Sequence, residues 1–186
     1  MALEIERRFL VRSDDWRAHV CGQAELRQGY LLADGQGRTV RVRLSDGDGE
    51  ARAWLTLKAP QPSGDGEGDG ALARLEFEYP IPVDDARDLL RLAPHELAKR
   101  RYRLDLPGGE WVLDVFEGAN APLVVVEVEL TSVDSPLELP AWCGREISGR
   151  HELSNASLAR RPLALWSAAE REELFRAGAS AGPLPG

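Results

Sequence analysis

Segment after segment of this chain alternates charged and apolar residues, and no other feature limits its fold as much. In LEIERRFLVR, residues 3–12, a period of two puts Leu3, Ile5, Arg7, Phe9 and Val11 on one side of a strand and Glu4, Glu6, Arg8 and Leu10 on the other. RTVRVRLS (38–45) sets Arg41 and Arg43 against Val40, Val42 and Leu44, and AWLTLKA (53–59) sets Trp54, Thr56 and Lys58 against Leu55 and Leu57. ARLEFEYPI (73–81) opposes Arg74, Glu76 and Glu78 to Leu75, Phe77 and Tyr79. AKRRYRLDL (98–106) opposes Lys99, Arg101 and Arg103 to Tyr102 and Leu104. EWVLDVFEG (110–118) carries Asp114, and PLVVVEVEL (122–130) puts Glu127 and Glu129 opposite Val124, Val126 and Val128.

With AELRQGYLLA (24–33), these segments predict a mainly antiparallel sheet of about eight strands, punctuated by turn signals such as Asp34-Gly35 and Pro107-Gly108-Gly109. Helices are predicted around Asp14 to Val20, from Val83 to Leu92 and from Leu163 to Phe175, giving an α+β class. PQPSGDGEGDG (60–70) reads as a mobile loop and SAGPLPG (180–186) as a disordered tail. In DGEGDGALARLE (65–76) the acids approach calcium-loop spacing, but predicted strands flank the stretch where an EF-hand needs helices, so a solvated loop is the reading.

The polar strand faces carry Glu4, Glu6, Glu76, Glu78, Asp114, Glu127 and Glu129 with Arg8, Arg41, Arg43, Lys58, Arg74, Lys99 and Arg101, and little Ser, Thr, Asn or Gln. Burying such groups costs several kcal/mol each unless they are paired. The pattern alone leaves two readings open: a solvated, salt-bridged outer face, or the inside of a sheet rolled into a barrel. Acids dominate 3–11 and 122–130, and bases dominate 38–45, 53–59 and 98–106, which predicts a negative and a positive wall. Arginine-rich walls grip phosphate oxygens, and clustered carboxylates suit Mg²⁺ or Mn²⁺. Together they offer the electrostatics of phosphoryl transfer.

A net charge of -8 argues against a general nucleic-acid binder. Two cysteines, Cys21 and Cys143, form no disulfide framework, and neither a secretory signal nor a membrane-spanning run is legible, so a cytoplasmic protein is the expectation. His19, His95 and His151 lack metal-ligand spacing, although His151 could reach the charged face from the C-terminal segment.

In order, LEIERRFLV, VRVRL, LTLK, RLEFEY, AKRRY, LDVF and VVEVEL resemble the CYTH domain family, the triphosphate tunnel metalloenzymes, over about residues 2 to 160. The resemblance implies a closed eight-stranded barrel with a charged tunnel and helices packed outside. It divides the chain into a tunnel domain, 1–162, and a C-terminal helix with tail, 163–186. It implies a Mg²⁺- or Mn²⁺-dependent hydrolase acting on a small-molecule triphosphate, foremost inorganic tripolyphosphate cleaved to pyrophosphate and phosphate. Alternatives are a nucleoside triphosphatase, a class IV adenylate cyclase or a non-catalytic polyphosphate- or nucleotide-binding domain. A homodimer rests on the resemblance alone, and neither a nucleic acid nor a membrane partner is implied.

Carried over by position, Glu4 and Glu6 match the first two members of the family's ExExK signature and, with Arg8, take the catalytic positions. Glu4, Glu6, Asp114, Glu127 and Glu129 would hold metal. Arg41, Arg43, Lys58, Arg74, Lys99 and Arg101 would grip phosphates, and Glu76 and Glu78 would support the tunnel. The chain departs from the pattern at Arg8, where the signature has Lys, and at Glu152 and Leu153 within GRHELSNASLA (149–159), where many members carry a basic residue and an aromatic. Asn155 matches the family's Asn in that closing segment.

Overall fold

Hydrogen-bond register joins the alternating segments into one sheet. The computed structural model describes residues 2–34, 36–47, 49–60, 73–132 and 134–179, without the side chains of 2–4, 73–74 and 177–179. The predicted loop between 61 and 72 and the tail from 180 lie outside the described residues. Among the described residues there are nine strands: β1 (Ala2–Val11), β2 (Val20–Ala33), β3 (Thr39–Gly47), β4 (Glu50–Pro60), β5 (Ala73–Ile81), β6 (His95–Leu104), β7 (Glu110–Phe116), β8 (Val124–Glu129) and β9 (Cys143–Glu146). All pair antiparallel in the order β5-β4-β3-β2-β6-β7-β8-β1-β9, and β1 also pairs with β5 through Ala2–Ile5 against Ala73–Glu76. The helices are α1 (Val83–Leu92), α2 (Asn155–Arg160) and α3 (Ala168–Ala179). The expected antiparallel α+β class is what the chain adopts.

Several strand bounds differ from expectation by a few residues, and α2 and β9 are elements that the periodicity did not show. β9 is a ninth strand whose four residues, CGRE, are too few to show a period, and it pairs with Phe9 and Val11 of β1. The helix expected at residues 14–20 is a 3₁₀ turn over Asp14–His19, after which β2 begins directly at Val20. The helix expected from Leu163 is a 3₁₀ turn, Leu163–Leu165, followed by α3. Ser167 and Glu170 set the true helix start. The Glu170 amide donates to Ser167 Oγ (3.2 Å) while the Ser167 amide donates to Glu170 Oε2 (2.7 Å), a reciprocal capping box.

The apolar strand faces point outward and are covered over much of the sheet, with Leu57, Phe77 and Tyr79 of β4 and β5 left exposed. Phe9, Trp111, Leu113, Val126 and Val128 pack beneath Trp16 of the 3₁₀ turn and Trp142 before β9. Val42 and Ala53 pack against Ala86 and Leu90 of α1. The inward faces change character along their length. Leu10, Leu97, Phe116 and Val125 continue the charged faces of β1, β6, β7 and β8 as an apolar cluster, joined there by Leu153, Leu158 of α2 and Leu174 of α3. Among the described residues, no helix is long and apolar enough to cross a membrane.

Trp16 is 1% exposed and holds the 3₁₀ turn against the outer face of β6–β8. Replacing it with Ala is expected to lower stability by about 3–5 kcal/mol, read as an earlier urea midpoint.

Candidate active site

Cross-strand register places several of the charged residues opposite partners of the other sign. Arg8 faces Glu127 across β1–β8, Lys58 faces Glu76 across β4–β5, and Arg101 faces Asp114 across β6–β7. The two expected walls are contiguous runs of strands, β8 beside β1 and β4, β3, β2 and β6 in succession. They meet where β5 pairs with β4 and where β7 pairs with β6.

Two ion-pair networks result. In the first, Asp114, with no exposed surface, accepts from Arg101 Nε (2.7 Å) and Arg101 Nη2 (2.7 Å) and from the Lys99 ammonium. Arg101 Nη2 also donates to Glu127 Oε2 (2.9 Å), and Arg8 Nε donates to Glu127 Oε1 (3.0 Å). In the second, Arg43 Nη2 donates to both oxygens of Glu78 (2.9 and 3.0 Å), and Thr56 Oγ1 donates to Glu78 Oε2 (2.9 Å). Arg41 Nη2 donates to Thr56 Oγ1 (3.2 Å), and Lys58 Nζ lies 3.0 Å from Glu76 Oε2. Each network joins three cations to two carboxylates.

Burial would raise the Glu127 carboxyl, but Arg8, Lys99, Arg101 and Lys58 outweigh it and hold Glu127 well below the usual carboxylate range. Burial pushes the Lys99 ammonium down to about 8, against the pull of Asp114 and with the help of Arg101. Burial and then the neighbouring Arg41 lower the Arg43 guanidinium to about 10. Arg8 Nη2, Arg41 Nε and Arg43 Nε are buried without a hydrogen-bond partner among the described residues. These three N–H donors are thus already desolvated beside the central space.

That centre is a cavity of about 130 Å³. Its cations are Arg8, Arg41, Arg43, Lys58, Arg101 and Arg160. Its carboxylates are Glu6, Asp34, Glu76 and Glu127. A net positive cavity in a chain of net charge -8 is built to take an anion. Asp114, itself paired with Lys99, holds the Arg101 guanidinium, and Glu78 holds that of Arg43, and none of these three lines the space. Glu129, in register with Glu6, lies exposed at the end of β8. Glu4 and Arg74 are opposed in register across β1–β5, while their side chains lie outside the described residues.

α2 supplies the wall that strand periodicity does not reveal. Asn155, Ser157 and Arg160 line the cavity with His151, whose Nδ1 is 3.3 Å from Ser157 Oγ. Asn155 Oδ1 accepts from Lys99 Nζ (3.2 Å), tying α2 to β6. Arg8 Nη1 donates to the Leu153 carbonyl (3.2 Å), so the two places where the sequence departs from the family pattern touch each other. Tyr30 and Thr39 also line the cavity. Tyr30 shares the inward parity of Gln28, a signal present in AELRQGYLLA.

The CYTH domain model matches residues 2–163. The chain belongs to the CYTH domain family. It is 34% identical over 164 residues to an inorganic triphosphatase of Acetivibrio thermocellus, covering 87% of this chain and 96% of that one. The crystal structure of an inorganic triphosphatase superposes with a TM-score of 0.58 at 32% identity, over 86% of this chain and 95% of that one. A protein from Pyrococcus horikoshii, 21% identical, shares the CYTH fold with a TM-score of 0.51 over 73% of this chain and 79% of its own.

Asp114→Asn would leave Lys99 buried with one neutral partner and is expected to cost about 3–5 kcal/mol in urea unfolding. The Glu127 carboxyl, depressed on folding, stabilises the fold above its unfolded value of about 4.3, and this contribution is lost as pH falls below it. The melting temperature of Glu127→Gln is accordingly expected to depend less on pH below about 4.3 than that of the parent chain.

Proposed function

We propose that this chain is a metal-dependent inorganic triphosphatase that cleaves tripolyphosphate to pyrophosphate and phosphate. The observation that carries the reading is the cavity itself, where six cations surround a space that also holds Glu6, Glu76 and Glu127. Its partners in sequence, at 34% and 32% identity over nearly their full lengths, are inorganic triphosphatases. Arg8, Arg41, Arg43, Lys58 and Arg101 would bind the phosphate oxygens. Their ion pairs with Glu76, Glu78, Asp114 and Glu127 hold them in place before a substrate arrives, so little reorganisation is required.

The metal reading fits the donor set. Among the described residues, no three His, Cys, Asp or Glu side chains converge on one point. Mg²⁺ does not require that, since it keeps several waters and takes one or two carboxylates plus substrate phosphates. Glu6 and Glu127 line the cavity and are the carboxylates offered for this role, with Glu4 two residues before Glu6 on the same strand. Bound there, Mg²⁺ or Mn²⁺ would neutralise phosphate charge and make water more acidic.

The reading includes a tunnel, an eight-strand ring that would bring the charged faces together. Pairing of β1 with β5 at one flank and β8 at the other supports it. It takes 1–162 as the catalytic unit and 163–186 as an appended helix and tail, in keeping with the span of the family match. Cys21 and Cys143 are free thiols, which agrees with a cytoplasmic setting.

The test is phosphate release from tripolyphosphate, pyrophosphate, ATP and thiamine triphosphate with Mg²⁺ and with Mn²⁺. Tripolyphosphate is expected to be the preferred substrate, and a Glu6→Gln, Glu127→Gln double variant is expected to lose about 10²-fold or more in kcat. If tripolyphosphate raises the melting temperature but is not cleaved, the protein is a binder and the hydrolase reading fails.

A further inference from the structure

A second cavity, of about 330 Å³, lies farther along the same strand faces. Inward residues of β3 trace the connection. Thr39, Arg41 and Arg43 line the first cavity, whereas Arg43, Ser45 and Gly47 line the second. On β4, Lys58 lines the first, Thr56 is buried between the two, and Trp54, Arg52 and Glu50 line the second. Arg101 of β6 borders both, and Arg103, two residues on, borders the second. The two spaces are neighbours along one face, with Arg43 and Arg101 at the junction.

The second cavity is cationic as well. Arg43, Arg52, Arg101 and Arg103 face one carboxylate, Glu50, which already lies 3.0 Å from Arg52. The Arg43 guanidinium stacks over Trp54 at 4.9 Å from the ring centroid, and its Nε is buried without a partner among the described residues. Arg103 crosses directly over β2 at Gly22, where an added Cβ would lie 2.4 Å from its Nη2. The missing side chain at Gly22 therefore leaves Arg103 room to lie at the cavity rim.

We infer that this second cavity is a subsite for a phosphate group, contiguous with the first through Arg43 and Arg101. It rests on the reading of the first cavity as a triphosphate site. Two sources share this chemistry: orthophosphate released by cleavage, and the far end of a linear polyphosphate longer than three units. Arg52 and Arg103 lie at the exposed rim of this cavity and outside the first, so they can be changed separately.

The experiment compares the full-length chain with an Arg52→Ala, Arg103→Ala double variant. Each is titrated with orthophosphate and with long-chain polyphosphate while tryptophan fluorescence is followed. A Trp54→Phe variant identifies the signal from the ring beneath Arg43. The double variant is expected to bind about tenfold more weakly and to lose a similar factor in kcat/KM on long-chain polyphosphate, with kcat/KM on tripolyphosphate held within about twofold. An orthophosphate response lost in the double variant identifies the released product as the occupant. A response to long chains alone identifies the far end of a polymer. Arg52→Lys, Arg103→Lys is expected to recover part of the loss, which separates charge from folding. Unchanged affinity for both anions in the double variant, or equal losses on both substrates, overturns the inference. Should the parent chain cleave no substrate, the triphosphatase reading falls, while the fluorescence titration still decides the subsite.

Discussion

Asp114 shows the constraint on which this fold depends: a charge removed from water has to be met on every side. Its two oxygens take three donors, from Lys99 and Arg101, in a setting with no exposed surface. The same condition recurs at Glu127 between Arg8 and Arg101. A sheet face carrying this many ions is tolerable only because antiparallel register brings opposite signs within reach across neighbouring strands. The arrangement is not the most stable one available, since apolar replacements of buried ion pairs are often equal or better. What the ions supply is a set of oriented guanidinium groups whose N–H donors at Arg8, Arg41 and Arg43 include some with no partner among the described residues.

The same face is finished by apolar packing. Where Leu10, Leu97, Phe116 and Val125 replace charged residues, the chain has a dry surface on which Leu158 and Leu174 can settle. That anchors α2 against the charged cavity, and the Lys99–Asn155 hydrogen bond fixes its approach. The helix is only six residues long, so packing rather than helix propensity must hold it there.

Much of this was legible because period two is a strong signal when both faces are extreme in character. Residues 73–81 and 83–92 have the bounds that the sequence predicts. Register was less accessible. Grouping acids and bases by strand suggested two walls, and the sheet order gathers them so, with β8 beside β1 and β4, β3, β2 and β6 in succession, but which strands meet at the seams depends on long-range pairing that local periodicity does not encode. β9 and α2 were missed because four and six residues hold too little of either period. The Ser167–Glu170 box was a local signal that could have been read from SAAE, and it would have placed the start of α3. Tyr30, in register with Arg41, could have been placed by its inward parity, whereas Arg160 sits on a helix and its place at the cavity follows from tertiary contacts alone.

Arg8 meets Glu127, 119 residues away, and the Leu153 carbonyl, 145 residues away. Contacts of such separation are costly to close and slow to form, because the intervening chain must first be ordered. During synthesis the first strand therefore leaves the ribosome long before its partners exist. Until they arrive, Glu6 and Arg8 belong to a strand with no β8 to pair with, and the cationic cavity has no wall on that side. Competence to bind an anion is thus acquired at the end of folding, and binding would report on completion of the whole fold rather than on any part of it.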